Sequence, residues 1–120
     1  MFFFSSPDKT PYGTALAECV AGRLESGLTL TDRHREYCGM GLWFIEGHYC
    51  YDESWDARPP DMEFMLEPNT RGGRIFKTRQ EFVEWFAVQS DHSLAGFEKD
   101  AFYHQNSTIT RERLREHLGC

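Results

Sequence analysis

No stretch of this sequence approaches the roughly 20 apolar residues that a membrane-spanning helix needs, so membrane contact is not expected. The opening, "MFFFSSPDK", holds three phenylalanines and no basic segment ahead of them, which is not the pattern of a secretory signal. Phe2 to Phe4 read instead as a short strand or a staple onto the core. Positive charge is also in short supply: 13 Lys and Arg stand against 19 Asp and Glu, a net charge of -6. A nucleic-acid binder needs the opposite sign on its contact face, so direct binding to nucleic acid is disfavoured. Gly39, Gly41, Gly72 and Gly73 build no phosphate loop, because neither a Walker-type Lys-Ser/Thr nor a G-x-G-x-x-G run accompanies them. No nucleotide or other cofactor is expected. Repeats, low-complexity tracts and linker-like segments are missing as well, so the 120 residues read as one domain, 1–120.

What is present suits a folded globule. Apolar residues make up 40% and aromatics 15% of the chain, and a domain of this size buries roughly two-thirds of its unfolded surface without needing staples. The cysteines, Cys19, Cys38, Cys50 and Cys120, are widely spaced and show no C-x-x-C pair. With no export signal, reduced thiols and a cytoplasmic location are the expectation.

The pattern of elements predicts an α+β fold, a small antiparallel sheet of three to four strands with helices packed on one side. Thr14 caps a helix running to about Ser26, with Leu16, Val20 and Leu24 on one face and Gly27 as terminator. "LTLTDRHREYCG" reads either as a short capped helix or as a lead into a strand. "GLWFI" and "HYCYD" are strands joined by a Glu46-Gly47 hairpin turn. Leu42 and Phe44 alternate with Trp43 and Ile45, and either pair could face the core. "MEFMLE" reads as a third strand and "RIFK" as a short fourth. In "KTRQEFVEWFAVQ", Thr78 and Glu81 form a capping box ahead of an apolar face of Phe82, Val83, Trp85 and Phe86. "STITRERLREHLGC" closes as a helix capped at Thr108 or Thr110, with Leu114 and Leu118 inward and Gly119 at its end.

Charge is distributed unevenly. Residues 46–67 hold seven acidic side chains and one basic, Arg58, while 1–45 and 68–120 are close to neutral. The same region carries Tyr49, Tyr51, Trp55 and Phe64. Acid interleaved with aromatics is the composition of a binding surface, where aromatic anchors sit within a charged surround. Glu46, Asp52, Glu53, Trp55, Asp56, Asp61 and Glu63 are therefore the candidate partner-binding residues, with a basic protein as the expected partner, and a plain solvated acidic face is the alternative reading of the same residues. A catalytic carboxylate pair is a poorer reading, since so many acids in so short a stretch bring some pair together by chance.

His34 and Cys38, four apart, with His48 and Cys50, two apart on a strand, make a conceivable Cys2His2 metal set, although the spacing lacks the knuckle of a zinc signature. Cys50 also suits an ordinary buried position. Ser90, Asp91, His92 and Ser93 are contiguous, whereas a nucleophilic triad brings such groups together from separate elements. They read as a loop capping the preceding helix. No catalytic residue is expected.

Two stretches, "HREYCGMGLWFIEGHYCYDE" and "FKTRQEFVEWFAVQSDHSLAGFE" followed by "FYHQNSTITRERL", together resemble a loose family of small single-domain bacterial proteins. The resemblance covers about residues 34–118 and departs from the family pattern at Ser107. Proteins of this size and style look like the immunity proteins of polymorphic-toxin systems, or like phage-encoded inhibitors of host defence complexes. The resemblance implies a non-enzymatic inhibitor that occludes the active site of a cognate toxin.

Overall fold

The computed structural model describes residues 8–30, 39–54, 74–94 and 109–120, with the backbone alone for 39, 40 and 52–54. Within them the order is α1 (Thr14–Glu25), β1 (Gly39–Ile45), β2 (His48–Ser54), β3 (Arg74–Phe76), α2 (Arg79–Ala87) and α3 (Arg111–Leu118). The sheet order is β1-β2-β3, antiparallel throughout. This is the predicted α+β architecture, with the helices against one face of the sheet. The expected strand at "MEFMLE" and the region of His34 and Cys38 lie outside the described residues.

The hairpin forms where turn chemistry asks for it. Glu46 and Gly47 both take positive φ, 49° and 82°, the sign that a two-residue turn needs to match the twist of its strands. Ile45 then pairs with His48, and the register runs through Trp43 with Cys50 to Gly39 with Ser54. On β1's outer edge, Leu30 and Leu42 exchange backbone hydrogen bonds of 3.2 and 2.8 Å.

Both sheet faces are apolar in sequence, and the packing shows which one meets the helices. Leu42, Tyr49 and Tyr51 are buried with α1 and α2, and Phe44 packs against them. Trp43 and Cys50 are buried in a second cluster with Ile45 and Ile75 beside them. Gly41 belongs to that second arrangement: a methyl group placed on it would fall 2.3 Å from the Trp43 ring.

The main core is built around Phe82. Its ring stacks on Tyr49 and on Phe86, each at 5.4 Å, and meets Phe76 edge-on at 5.8 Å. Phe86 stacks in turn on Tyr12 at 5.0 Å. Aromatic pairs in these offset and edge geometries add about 0.5–1.5 kcal/mol each beyond the burial itself. α1 contributes Ala17, Val20, Ala21 and Leu24, all with no exposed surface. Its inward stripe thus uses small residues, and the expected Leu16 sits half-buried at the margin.

Capping follows the predicted logic with two differences. Thr78 accepts from Glu81 N at 3.1 Å, but Glu81 returns its bond to Lys77 N rather than to the cap residue. At α1 the cap position is Gly13, with φ 88°, and Thr14 is already helical. Gly13 serves because Tyr12 N and Gly13 N donate to Gln89 O and Ala87 O, which fixes a chain direction into the helix that demands left-handed φ. α3 is capped by Thr110, which accepts from Arg113 N at 3.1 Å, and ends at left-handed Gly119.

The expectation of reduced thiols is corrected for one pair. Cys19 on α1 and Cys120, just past α3, form a disulfide with Cα atoms 6.0 Å apart. Spacing could not disclose it, because the two cysteines are 101 residues apart and meet only once α3 docks on α1.

Candidate functional site

The hairpin places the candidate residues in two groups. Glu46 lies exposed on the turn. Asp52 and Glu53 lie near the far end of β2, opposite Gly41 and Met40. Four strand residues, His48 to Tyr51, lie between the turn and Asp52, a separation of roughly 15 Å at the usual rise. The turn and the far end are therefore separate places on the surface. Trp55, Asp56, Asp61 and Glu63 follow Ser54 in the chain and lie outside the described residues.

Of the metal candidates, His48 and Cys50 are described. His48 is half-buried, and its Nδ1 lies 2.9 Å from Glu46 O. Since a carbonyl can only accept, that nitrogen carries the proton. Cys50 has no exposed surface and sits against Trp43, the position of a small buried hydrophobe. Among the described residues, no group of three or more His, Cys, Asp and Glu stands close enough to hold a metal ion.

Two polar clusters connect distant parts of the chain. In the first, Arg79 at the start of α2 lies across α1. Its Nε is 3.1 Å from Glu18 Oε2, Nη1 is 3.4 Å from Glu25 Oε1, and Nη2 donates to the Glu18 carbonyl at 3.0 Å. Gly22 gives the guanidinium room, since a Cβ there would stand 3.3 Å from it. Tyr49 donates its hydroxyl to Glu25 Oε2. Desolvation pushes the Tyr49 hydroxyl up to about 12, helped by the hydrogen bond to Glu25 and by that carboxylate's charge. The phenol therefore stays neutral and acts as a donor.

In the second cluster, Asp91 Oδ1 accepts from the Tyr12 hydroxyl at 2.8 Å and from Arg111 N, at the first residue of α3, at 2.9 Å. A carboxylate there faces the positive end of the helix dipole. Arg111 donates to the carbonyls of Thr10 and Pro11, at 3.2 and 2.7 Å, and its guanidinium lies 5.1 Å from the Tyr12 ring centre. Burial drives the Tyr12 hydroxyl well above its ordinary range, with the Asp91 charge adding to it. Ser90 and Ser93 exchange N–H to Oγ bonds at 2.8 and 3.1 Å, and Ser93 Oγ donates to Gln89 Oε1 at 2.9 Å. "SDHS" thus shapes the turn after α2, as expected. Its Asp also holds the start of α3, which local reading missed because Arg111 is 20 residues on. The first cluster had a faint signal in Glu18 and Glu25, which are seven apart on α1 and so share a helix face.

No protein-family model, no curated protein and no solved structure matches the chain. Among the described residues, no helix is long and apolar enough to cross a membrane.

Proposed function

We propose that the protein is a non-enzymatic, stoichiometric inhibitor, most simply an immunity protein that protects a bacterial cytoplasm by occluding the active site of a cognate toxin. One observation carries the reading. The described side chains are nearly balanced, nine acidic against eight basic. Residues 52–67 hold six acidic side chains and one basic, which accounts for nearly all the excess. A close-to-neutral scaffold, cross-braced by Arg79 and Asp91, thus carries a strongly acidic segment with Trp55 and Phe64 within it. Negative charge beside aromatic anchors suits a basic cleft, where charge speeds encounter and buried rings slow release.

The partner-binding set is Asp52, Glu53, Trp55, Asp56, Asp61 and Glu63, with Glu46 as an outlying contact on the hairpin turn. The test begins with the tagged chain expressed in a bacterial host, with any partner identified and its own activity titrated. Complete inhibition is expected at one chain per partner. Reversing Asp52, Glu53 and Asp56 to Lys should slow association at low salt by at least about tenfold and leave cooperative unfolding unchanged. A triple variant that binds and inhibits like the parent sinks the acidic-segment reading.

A further inference from the structure

We propose that the Cys19–Cys120 disulfide is a redox-operated clasp, which when closed holds the end of α3 against α1 and when reduced releases that end while the rest of the core stays folded. The two ends of α3 are held by different means. Its start is fixed without covalent help, through the Thr110 cap, the Asp91 bond to Arg111 N, and the Arg111 bonds to Thr10 and Pro11. Its end is fixed by Leu114 and Leu118 and by the sulfur bridge. The helix has eight residues, short of the roughly 12–15 at which an isolated helix becomes even marginal. Its last turn therefore persists only while something holds it to α1.

Position and charge equip the bond to open. Cys19 and Cys120 are both half-buried rather than sealed in the core. Arg23 stands one turn beyond Cys19 on α1, and a Cβ on Gly119 would lie 3.8 Å from its guanidinium. That puts a cation near the residue next to Cys120, and nearby positive charge favours a thiolate over a thiol. A dithiol reductant can open the bond. One of its thiolates attacks one sulfur of the bridge, forming a mixed disulfide and expelling the other cysteine as a thiolate, which takes up a proton. The reductant's second thiol then displaces the protein from the mixed disulfide. The bridge gains two electrons and two protons, and the reductant leaves as its own disulfide.

Hydrogen exchange of the oxidised protein, followed by the same protein in dithiothreitol, tests the proposal, with intact mass reporting the two added hydrogens. On reduction, amides of residues 114–120 should exchange at least about tenfold faster, while those of β1, β2 and α2 change less than about twofold. Reoxidation should restore them, and Cys120→Ser should reproduce the reduced pattern without reductant. Arg23→Gln should slow reduction several-fold. Unchanged α3 protection on reduction, loss of protection across the whole chain, or an oxidised preparation still carrying both thiols would each overturn the clasp.

Discussion

Replacing Gly41 by alanine adds one methyl group at a position where the backbone would accept it and the space would not. Gly41 is not among the glycines with positive φ, so alanine meets no conformational bar, and lowering unfolded-chain entropy favours folding by about 0.4–1 kcal/mol. Against this, the new Cβ would fall 2.3 Å from Cη2 and 2.4 Å from Cζ2 of Trp43. The indole has only two side-chain torsions and is 5% exposed, wedged with fully buried Cys50. It can clear the methyl only by repacking that cluster, which costs about 1–3 kcal/mol. The clash should win, leaving Gly41→Ala less stable by about 1–2 kcal/mol. With a urea slope of about 2 kcal/mol/M, the middle of the usual range, that is a midpoint lower by about 0.5–1 M and an unchanged slope. Circular dichroism measures the midpoint, and a double-mutant cycle assigns the cause. In a Trp43→Leu background the same alanine should be neutral or stabilising, a coupling of about 1–2 kcal/mol. A stable Gly41→Ala protein, or a cost that persists undiminished without Trp43, would refute the reasoning.

Other perturbations probe the remaining parts. Phe82→Ala should cost about 3–5 kcal/mol, because Phe82 is fully buried with ring neighbours on three elements; a urea midpoint within about 0.5 M of the parent would contradict its central place. Asp91→Ala should cost about 1–3 kcal/mol by leaving the Tyr12 hydroxyl and Arg111 N without their acceptor, and exchange at the start of α3 should rise with it. Tyr49 titrates near 12 in the folded chain against an ordinary 10.0. The raised value means its contribution is complete below about pH 10 and is lost as pH climbs through 12. Its hydroxyl meets partly exposed Glu25, so screening trims the loss to about 1–2 kcal/mol. Tyr49→Phe should flatten the fall in urea midpoint between pH 10 and 12, and a curve parallel to the parent's would remove Tyr49 as its source.

Local chemistry made much of the scaffold legible. Gly47 announces the hairpin because it takes positive φ at no steric cost, and Thr78 with Glu81 announces α2 because each satisfies a free N–H. Alternation could not choose the inner sheet face, since Leu42 and Phe44 are no more apolar than Trp43 and Ile45; both faces turn out to be buried, in two clusters. Long-range pairings were invisible for a different reason. Cys19 with Cys120, Asp91 with Tyr12, and Arg79 with Glu18 meet only after the helices dock, and nothing in their local spacing encodes the meeting. The charge partition was fully legible, being a property of composition. Of the candidate residues, the structure adds the position of Glu46 on the turn and the strand register of Asp52 and Glu53.

The bridge between Cys19 and Cys120 also sets the route by which the chain bears load. Tension applied at residue 8 and at Cys120 passes through the first half of α1 and then across the sulfurs. The hairpin, β3 and α2 lie inside the closed loop, off the covalent path of the load. A narrow pore drawing in the oxidised chain would have to admit two segments abreast. Once the sulfurs part, the same pull runs through every element in turn, and the chain can be threaded in single file.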